Sequence, residues 1–353
     1  MKSTNMKAIV VYGENDVRFE DMEVKQPGPG EVLIKVMAAG ICGTDADILS
    51  CSLIYYQNGM SKLPIVPGHE WAGAIVELGE NVTEFEVGDR VAGECTVNCG
   101  HCPYCSRGLP NLCANRTETG VMNRDGGYAE YMTFPVTSLH KCNGLSFEQG
   151  ACIEPTCIAM HAIMTVGISP YDNVLVMGPG PIGLMAAQIA KKVFNANMVF
   201  LSGTRDDRLN RASGYGLNGL INVRQAGLYE EIQSLTHGKM IDVIVEASGA
   251  VSAFTDAEKI LNPAGRISLL SFYGNKRLEC NWDFFSTNGI TIHGSIGSPR
   301  VWPFVISKME SGVLDVNSII SHRLPLKSKE DFMNAFMIME KRMDCACKVI
   351  VKP

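Results

Sequence analysis

Residues 174–203 constrain the fold more than any other stretch. An apolar run at 174–177 leads into Gly178-Pro179-Gly180-Pro181-Ile182-Gly183, an amphipathic run follows, and a second apolar run fills 198–203. Strand, glycine turn, helix and strand make a βαβ unit. Such a unit commits the chain to a parallel sheet with helices packed on its faces. The turn fits G-x-G-x-x-G in the context that gives this motif its meaning, after a strand and at the start of a helix. Gly178 would make the tight turn, Gly180 would let backbone approach a pyrophosphate, and Gly183 would let helix and strand pack closely. Pro181 and Ile182 would open the helix whose free N–H groups face the phosphates. The alternative is a purely structural glycine turn, and the intact βαβ context weighs against it.

NAD-binding chains place an Asp or Glu about 20 residues beyond this turn, bonded to the ribose 2′-hydroxyl. Gly203 stands there instead, within Ser202-Gly203-Thr204-Arg205-Asp206-Asp207-Arg208. The carboxylate that would repel a 2′-phosphate is missing, and Arg205 and Arg208 lie where they could clamp one. NADP(H) is therefore expected in preference to NAD(H). Two other readings stand beside it: the arginines as solvated residues of a helix start, or Asp206 or Asp207 reaching the ribose.

The same alternation of strands and helices continues through LINV, DVIVEASG (242–249) and GRISLLSFYG (265–274), with a helix expected over 205–216. Upstream the texture differs. Residues 7–36 run as short alternating segments cut by Gly and Pro, and strand-like runs recur at 73–79 and 87–92, which reads as an antiparallel β region. The change comes near residue 150, where 148–167 reads as a helix; past 295 the pattern loosens and ends in a helix (328–342) and a strand (347–353). Residues 1–5 read as a frayed extension before the first strand. A chain of 353 residues is too long for one ordinary core, so two domains are expected. A net charge of −6 argues against nucleic acid or anionic membrane as the main partner. No apolar run approaches membrane-spanning length and the first residues lack a signal-peptide core, so a cytoplasmic location is expected.

Thirteen cysteines in a large chain without disulfide spacing point to metal. Cys99, Cys102, Cys105 and Cys113 form C-x2-C-x2-C-x7-C, which can close a tetrahedral all-cysteine zinc site with no position left for water. An iron–sulfur cluster or four unrelated thiols are the alternatives, and nothing else in the chain suggests one-electron chemistry. His101 lies inside the loop as a bystander. Three further candidates are dispersed: Cys42 in GICGTD, His69 in GHE, and Glu154 in IEP. Cys, His and Glu suit a catalytic zinc with an open fourth position, but residue types alone do not bring these three together.

Taken jointly, GICGTD, PGHEWAGAIVELGENV, VGDRV, the four-cysteine loop, IEP and GPGPIG resemble the zinc-dependent medium-chain dehydrogenase/reductase (alcohol dehydrogenase) family. Within it they resemble the sorbitol and threonine dehydrogenase branch, over essentially the whole chain. The resemblance implies an α/β protein: a GroES-like β domain formed by residues 1–153 and 295–353, and a Rossmann domain of residues 154–294 inserted between them. It implies a catalytic zinc on Cys42, His69 and Glu154, with Glu70 as an alternative or transient ligand and Asp45 orienting His69. Thr44 matches the hydroxyl that the family uses to relay a proton outward. The implied reaction is hydride transfer between NADP(H) and a small secondary alcohol or its ketone, with zinc polarising the oxygen. A homodimer or homotetramer is also implied, with residues 285–294 as the candidate interface strand.

Substrate is less constrained. Sorbitol dehydrogenases grip polyol hydroxyls with an Arg-Tyr pair, and Gly297 and Ser298 fall at those positions here. Arg300, displaced by a few residues, could bind an anionic group or lie at the surface; Tyr55 and Tyr56 could line a cleft or belong to the core. Polyol, sugar derivative, amino alcohol and bulkier ketone all stay open. An NAD-linked polyol or L-threonine-type dehydrogenase is the alternative within the family. A catalytically silent, zinc-stabilised binding protein is the alternative outside it, and intact Cys42, Thr44, His69 and Glu154 argue against that. A nucleic-acid-binding zinc protein is disfavoured by the acidic balance and the absence of a basic stripe beside the cysteine loop.

Overall fold

The computed structural model describes residues 5–273, 277 and 279–353. The extension expected over 1–5 therefore lies, except for its last residue, outside the described residues, as does Gly274 of the run expected over 265–274. Two compact units are present, one of Met1–Glu154, Gly297–Glu310 and Ile320–Pro353, the other of Pro155–Ile296 and Ser311–Ile319.

The second unit is built on a six-stranded parallel sheet. Its strands run in the order Gly219–Asn222, Met198–Gly203, Asn173–Met177, Ile241–Glu246, Leu261–Leu269, Thr291–Gly294. Asn173–Met177 is buried along its whole length, which explains why NVLVM carries no alternation. Both of its neighbours follow it in the chain: the sheet grows first on one side, through Met198–Gly203 and Gly219–Asn222, and then on the other, through Ile241–Glu246 and beyond, so the winding switches beside this strand, at whose carboxyl end ligands bind in open α/β sheets. Helix Pro181–Lys192 follows and buries its face from Gly183 to Ala190.

Within that buried face sits Gln188, an amide that must find partners. Its Oε1 accepts from the Asp315 N–H at 2.5 Å and its Nε2 donates to Asp315 O at 3.2 Å. Tyr215 hydroxyl meets Ser318 Oγ nearby. These bonds draw Ser311–Ile319 into the parallel-sheet unit, although the sequence reading had placed everything after 295 with the β domain. The helix expected over 205–216 is also shorter than its pattern. Only Asp206–Leu209 is α-helical, followed by a 3-10 turn at Asn210–Ala212, since Gly214 and Gly216 interrupt propagation. The proposed interface run 285–294 divides into the end of helix Trp282–Thr287, a turn, and the edge strand Thr291–Gly294.

The first unit carries a seven-stranded sheet. Glu31–Ile41 is its hub: it pairs antiparallel with Glu70–Leu78, with Tyr131–Pro135, and with Lys348–Lys352 from the far end of the chain. Ile9, Ile34, Trp71, Tyr128, Phe134 and Phe332 fill the core beneath it. The helix read over 148–167 is two pieces, Phe147–Gly150 and Ile153–Val166, the first closed by a capping box between Ser146 and Gln149. The second starts at Ile153, and the first segment of this unit ends on its second residue, Glu154, the rest of the helix belonging to the other unit. Among the described residues no helix is long and apolar enough to cross a membrane.

Candidate active site

Register explains why distant residues meet. Gly40 pairs with Glu70 on one side and with Ile350 on the other. Three strand ends therefore converge: Cys42 just past one, Glu70 opening the next, Lys348 opening the third. Cys42 Sγ, a His69 ring nitrogen and a Glu70 carboxylate oxygen lie within 4.8 Å of one another. Gly40 makes this possible, because a β-carbon there would collide with the Glu70 carboxylate. The Lys348 ammonium reaches both Glu70 oxygens, 2.6 Å from Oε1, and donates to Ile41 O at 3.2 Å; both side chains are 2% exposed.

Glu154 falls outside this tight group, in which Glu70, the alternative ligand of the sequence reading, stands beside Cys42 and His69. The reason is register, which points Glu70 at Cys42 and His69 across the sheet, while Glu154 arrives from a helix start. Glu154 is nonetheless buried and close enough to feel the group. Burial pushes its carboxyl up to about 7, opposed by His69 and reinforced by Glu70. Burial alone would lower His69, but Cys42, Asp45 and Glu154 outweigh it and raise it well above the usual imidazole value.

Asp45 does not hydrogen-bond His69. Its Oδ2 accepts from the Cys42 N–H at 2.8 Å and lies 2.6 Å from the Tyr128 hydroxyl, which also lies 2.9 Å from Gly40 O. Asp45 Oδ1 and His69 Nδ1 are both buried without a partner. An orphaned imidazole nitrogen beside a thiol and two buried carboxylates is a donor set that a zinc-like dication would satisfy. Thr44 Oγ1 lies 3.9 Å from Cys42 Sγ, at the open edge of the group.

The four loop cysteines form a separate cluster, with all four sulfurs within 4.8 Å of one another. Sulfur separations are 3.5 Å for Cys99–Cys113, 3.6 Å for Cys102–Cys105 and 3.7 Å for Cys102–Cys113. Tetrahedral zinc with Zn–S near 2.3 Å places its sulfurs roughly 3.8 Å apart, whereas a disulfide would need about 2.05 Å. Backbone N–H groups of His101 and Cys102 favour the Cys99 thiolate and hold its thiol down to about 6. The His101 ring is turned to Cys99 O at 2.7 Å.

In the parallel-sheet unit, Gly178 has a positive φ of 102° and donates to Ser202 O at 2.9 Å, locking the turn to the neighbouring strand. A β-carbon on Gly183 would strike Gly178 O, and one on Gly180 would meet nothing within 4 Å. The first glycine makes the turn, the third permits helix–strand contact, and the second leaves open space ahead of the helix N-terminus. Pro181 is the first helical residue and Ile182 the second, so the N–H of Ile182 has no intrahelical acceptor.

Gly203 carries a constraint invisible in the sequence: a β-carbon there would sit 2.5 Å from Pro179 Cδ. Arg205 caps the short helix after Thr204 and pairs with Asp207 through two bonds, of 3.0 and 2.6 Å. Asp206 accepts from Asn222 and Gln225 side chains at 2.7 Å each. Both aspartates that could have reached a ribose are thus engaged elsewhere. Arg208 lies half-buried on the same turn.

The positions of the polyol grip are spent on packing. Gly297 has a positive φ and lies against Asn111, Ser298 Oγ accepts from Trp302 Nε1 at 3.1 Å, and Arg300 lies over Gly108 of the cysteine loop. Tyr55 and Tyr56 are half-buried against the core, their hydroxyls turned to Glu118 and Val121 O.

Residues 28–144 match the alcohol dehydrogenase GroES-like domain family and residues 181–311 the zinc-binding dehydrogenase family. A sorbitol dehydrogenase from Bacillus subtilis is 32% identical over 99% of this chain and 98% of its own length. An L-threonine 3-dehydrogenase from Vibrio cholerae is 33% identical over 96% of each chain. The chain belongs to the zinc-dependent medium-chain alcohol dehydrogenase family, in its sorbitol and threonine dehydrogenase branch. Solved structures agree. An alcohol dehydrogenase from Escherichia coli complexed with NADH matches with a TM-score of 0.90 at 31% identity over 99% of this chain and 100% of that one. A zinc-binding dehydrogenase from Sinorhizobium meliloti bound to NADP matches with a TM-score of 0.90 at 27% identity and the same coverage.

Sequence reasoning missed several residues of this dehydrogenase. Lys348 was not singled out within the terminal strand; a lysine inside the apolar run CKVIVKP was the available signal. Tyr128, which braces Asp45 and Gly40, left no signal of its own. Arg116 and Glu118 form an ion pair at 2.8 Å beside the Tyr55 hydroxyl, and Glu118 acts electrostatically on Glu154.

Proposed function

We propose that this dehydrogenase transfers a hydride between NADP(H) and a small secondary alcohol or its ketone, with zinc at the Cys42–His69 group and a second, structural zinc on the four-cysteine loop. The observation that carries the reading is the donor set at the three strand ends. A dication with the Cys42 thiolate, Glu70, Glu154 and the Lys348 ammonium sums to zero formal charge, and the remaining buried carboxylate, Asp45, is met by the Cys42 N–H and the Tyr128 hydroxyl. Cys42 and His69 would hold the ion with Glu70 or Glu154 as the third ligand. Zinc there supplies Lewis acidity, which lowers the proton affinity of a substrate oxygen. Thr44, beside Cys42, would take that oxygen's proton and pass it outward. Asp45 and Tyr128 hold the backbone of Cys42 and so fix where Thr44 stands. The nicotinamide, when bound, accepts or returns the hydride.

For the cofactor, Gly203 leaves no carboxylate to repel a 2′-phosphate, and Arg205 and Arg208 sit on the adjoining turn beside Ser202 and Thr204. The Arg205–Asp207 pair favours a second reading, NAD(H), because a 2′-phosphate would have to draw Arg205 away from its partner. The names of the relatives and the polar Tyr55–Glu118–Arg116 set support a hydroxylated substrate: a polyol, a sugar derivative or an amino alcohol. Gly297 and Ser298 argue that hydroxyls beyond the reacting one are gripped differently than by an Arg-Tyr pair. A cytoplasmic homodimer or homotetramer, joined through the edge strand Thr291–Gly294, completes the reading.

The test is oxidation of NADPH and NADH, side by side, against ketoses, hydroxyketones, amino ketones and bulkier ketones. Turnover with NADPH at the higher kcat/KM supports the proposal and names the substrate class. Turnover with NADH alone overturns the cofactor assignment while leaving the chemistry in place.

A further inference from the structure

One cavity in the GroES-like unit has no part in the chemistry above. It encloses ≈ 470 Å³ between the start of the first strand, the loop around Lys62–Val66, the loop 123–126 and strand Tyr131–Pro135. That volume is in the range of small-molecule sites. Its floor is apolar: Met6, Val24, Leu33, Ile65 and Met132 are all buried. Its rim is cationic. Lys25, Lys62 and Arg124 line it against a single carboxylate, Asp125.

Asp125 is already committed. Its Oδ2 pairs with Lys25 at 3.0 Å and its Oδ1 accepts from the Val66 N–H at 3.2 Å. Lys62 and Arg124 are left uncompensated, a local excess of positive charge on a chain whose net charge is −6. Arg124 is the informative one. It is half-buried, its Nε donates to Thr117 Oγ1 at 3.1 Å, and its two terminal nitrogens have no hydrogen-bond or ion-pair partner among the described residues. Burial lowers it from the usual guanidinium value, opposed by the charges of Glu31 and Asp125. The guanidinium carbon lies 5.9 Å from the Phe134 ring centroid, and the fork, partly desolvated and held at Nε, stays open to an anion.

We propose that this cavity is a binding site for a small amphipathic anion, its apolar body on the Met6–Leu33–Met132 floor and its carboxylate or phosphate head on Arg124 and Lys62. A compact inorganic anion would leave the floor wet and a neutral apolar molecule would leave the fork unmet, so both halves of the ligand are needed. The site lies wholly within one unit and is independent of the cofactor assignment.

The test uses the full-length holoenzyme with methyl-labelled methionine. Octanoate and octyl phosphate are titrated by calorimetry and by methyl NMR; octyltrimethylammonium, acetate and inorganic phosphate serve as controls. The expected result is saturable binding of octanoate or octyl phosphate with shifts of the Met6 and Met132 methyls, and the tighter of the two identifies the head group. The ammonium should not bind, the short anions should bind at least about tenfold more weakly, and R124Q and K62Q should each weaken the octyl anion by about tenfold. K62Q changes an exposed residue and keeps the test open if R124Q folds poorly. Binding that leaves both methyls unmoved, that persists in K62Q and R124Q, or that the ammonium shares would overturn the proposal, as would no saturable binding up to about 5 mM.

Discussion

Replacing Lys348 by methionine tests how the floor of the metal group is held. The Lys348 and Glu70 side chains are each 2% exposed, and Nζ contacts both carboxylate oxygens and Ile41 O. Methionine keeps much of lysine's length and removes its charge, so Glu70 and the Ile41 carbonyl lose their donor in a site water does not reach. Breaking a buried pair from one side costs about 3–5 kcal/mol, whereas replacing both partners with apolar residues of similar volume is close to neutral. The unit holding them has roughly 200 residues, and for that size 1 kcal/mol moves Tm by about 2–4 °C. Metal-free K348M should therefore melt about 6–20 °C below wild type, and E70M/K348M should recover most of the loss. Zinc bound beside Glu70 supplies the missing positive charge, so zinc-loaded K348M should lose less than the metal-free variant. Scanning calorimetry and urea denaturation, with and without zinc, read all three. A loss under about 1 kcal/mol in metal-free K348M, or a double variant as unstable as the single one, would refute the reasoning.

Tyr128→Phe removes the hydroxyl that braces Asp45 and Gly40 O; stability should fall by about 1–3 kcal/mol and zinc affinity by about 10–100-fold. Unchanged zinc affinity by competitive chelation would separate Tyr128 from the site. Gly203→Asp should lower the kcat/KM preference for NADPH over NADH by about tenfold or more, each tenfold being about 1.4 kcal/mol; circular dichroism would show whether the contact with Pro179 is absorbed without misfolding. Lys352→Gln tests a pH effect. The Lys352 hydrogen bond holds the Glu148 carboxyl below its usual value, with burial opposing it. A depressed carboxyl contributes stability above its unfolded value, about 4.3, and loses it as pH falls through the folded value. Lys352 is about half exposed, so the wild-type advantage should be under about 1 kcal/mol near pH 7 and close below about pH 4. A gap in Tm that persists at about pH 3 would contradict the assignment.

The parallel sheet and its turn were legible because each residue there has one dominant local reason. NVLVM is apolar on both faces, and the three glycines of the turn each answer a separate geometric demand. The four-cysteine loop was legible because its cysteines are neighbours in sequence. The proximity of Glu70 to Cys42 and His69 was not, since it depends on strand register across Gly40 and on Lys348, which lies 278 residues from Glu70. Ser311–Ile319 was misplaced for a similar reason: one buried amide, Gln188, recruits it from a distance of 127 residues. Helix propensity over 205–216 was overruled by Gly214 and Gly216. Gly203 was read for what it lacks, a carboxylate, whereas the structure adds that Pro179 leaves no room for a side chain.

The central claim, zinc-dependent hydride transfer at the Cys42–His69 group, is tested most directly by Cys42→Ser, with metal content and turnover measured on the same sample. Two candidate metal clusters are present among the described residues. The account predicts that wild type binds zinc at both and turns over, while C42S keeps the loop zinc, loses the other, and loses activity by several orders of magnitude with little change in fold. Turnover by C42S at the wild-type rate, or full zinc content without Cys42, would contradict it.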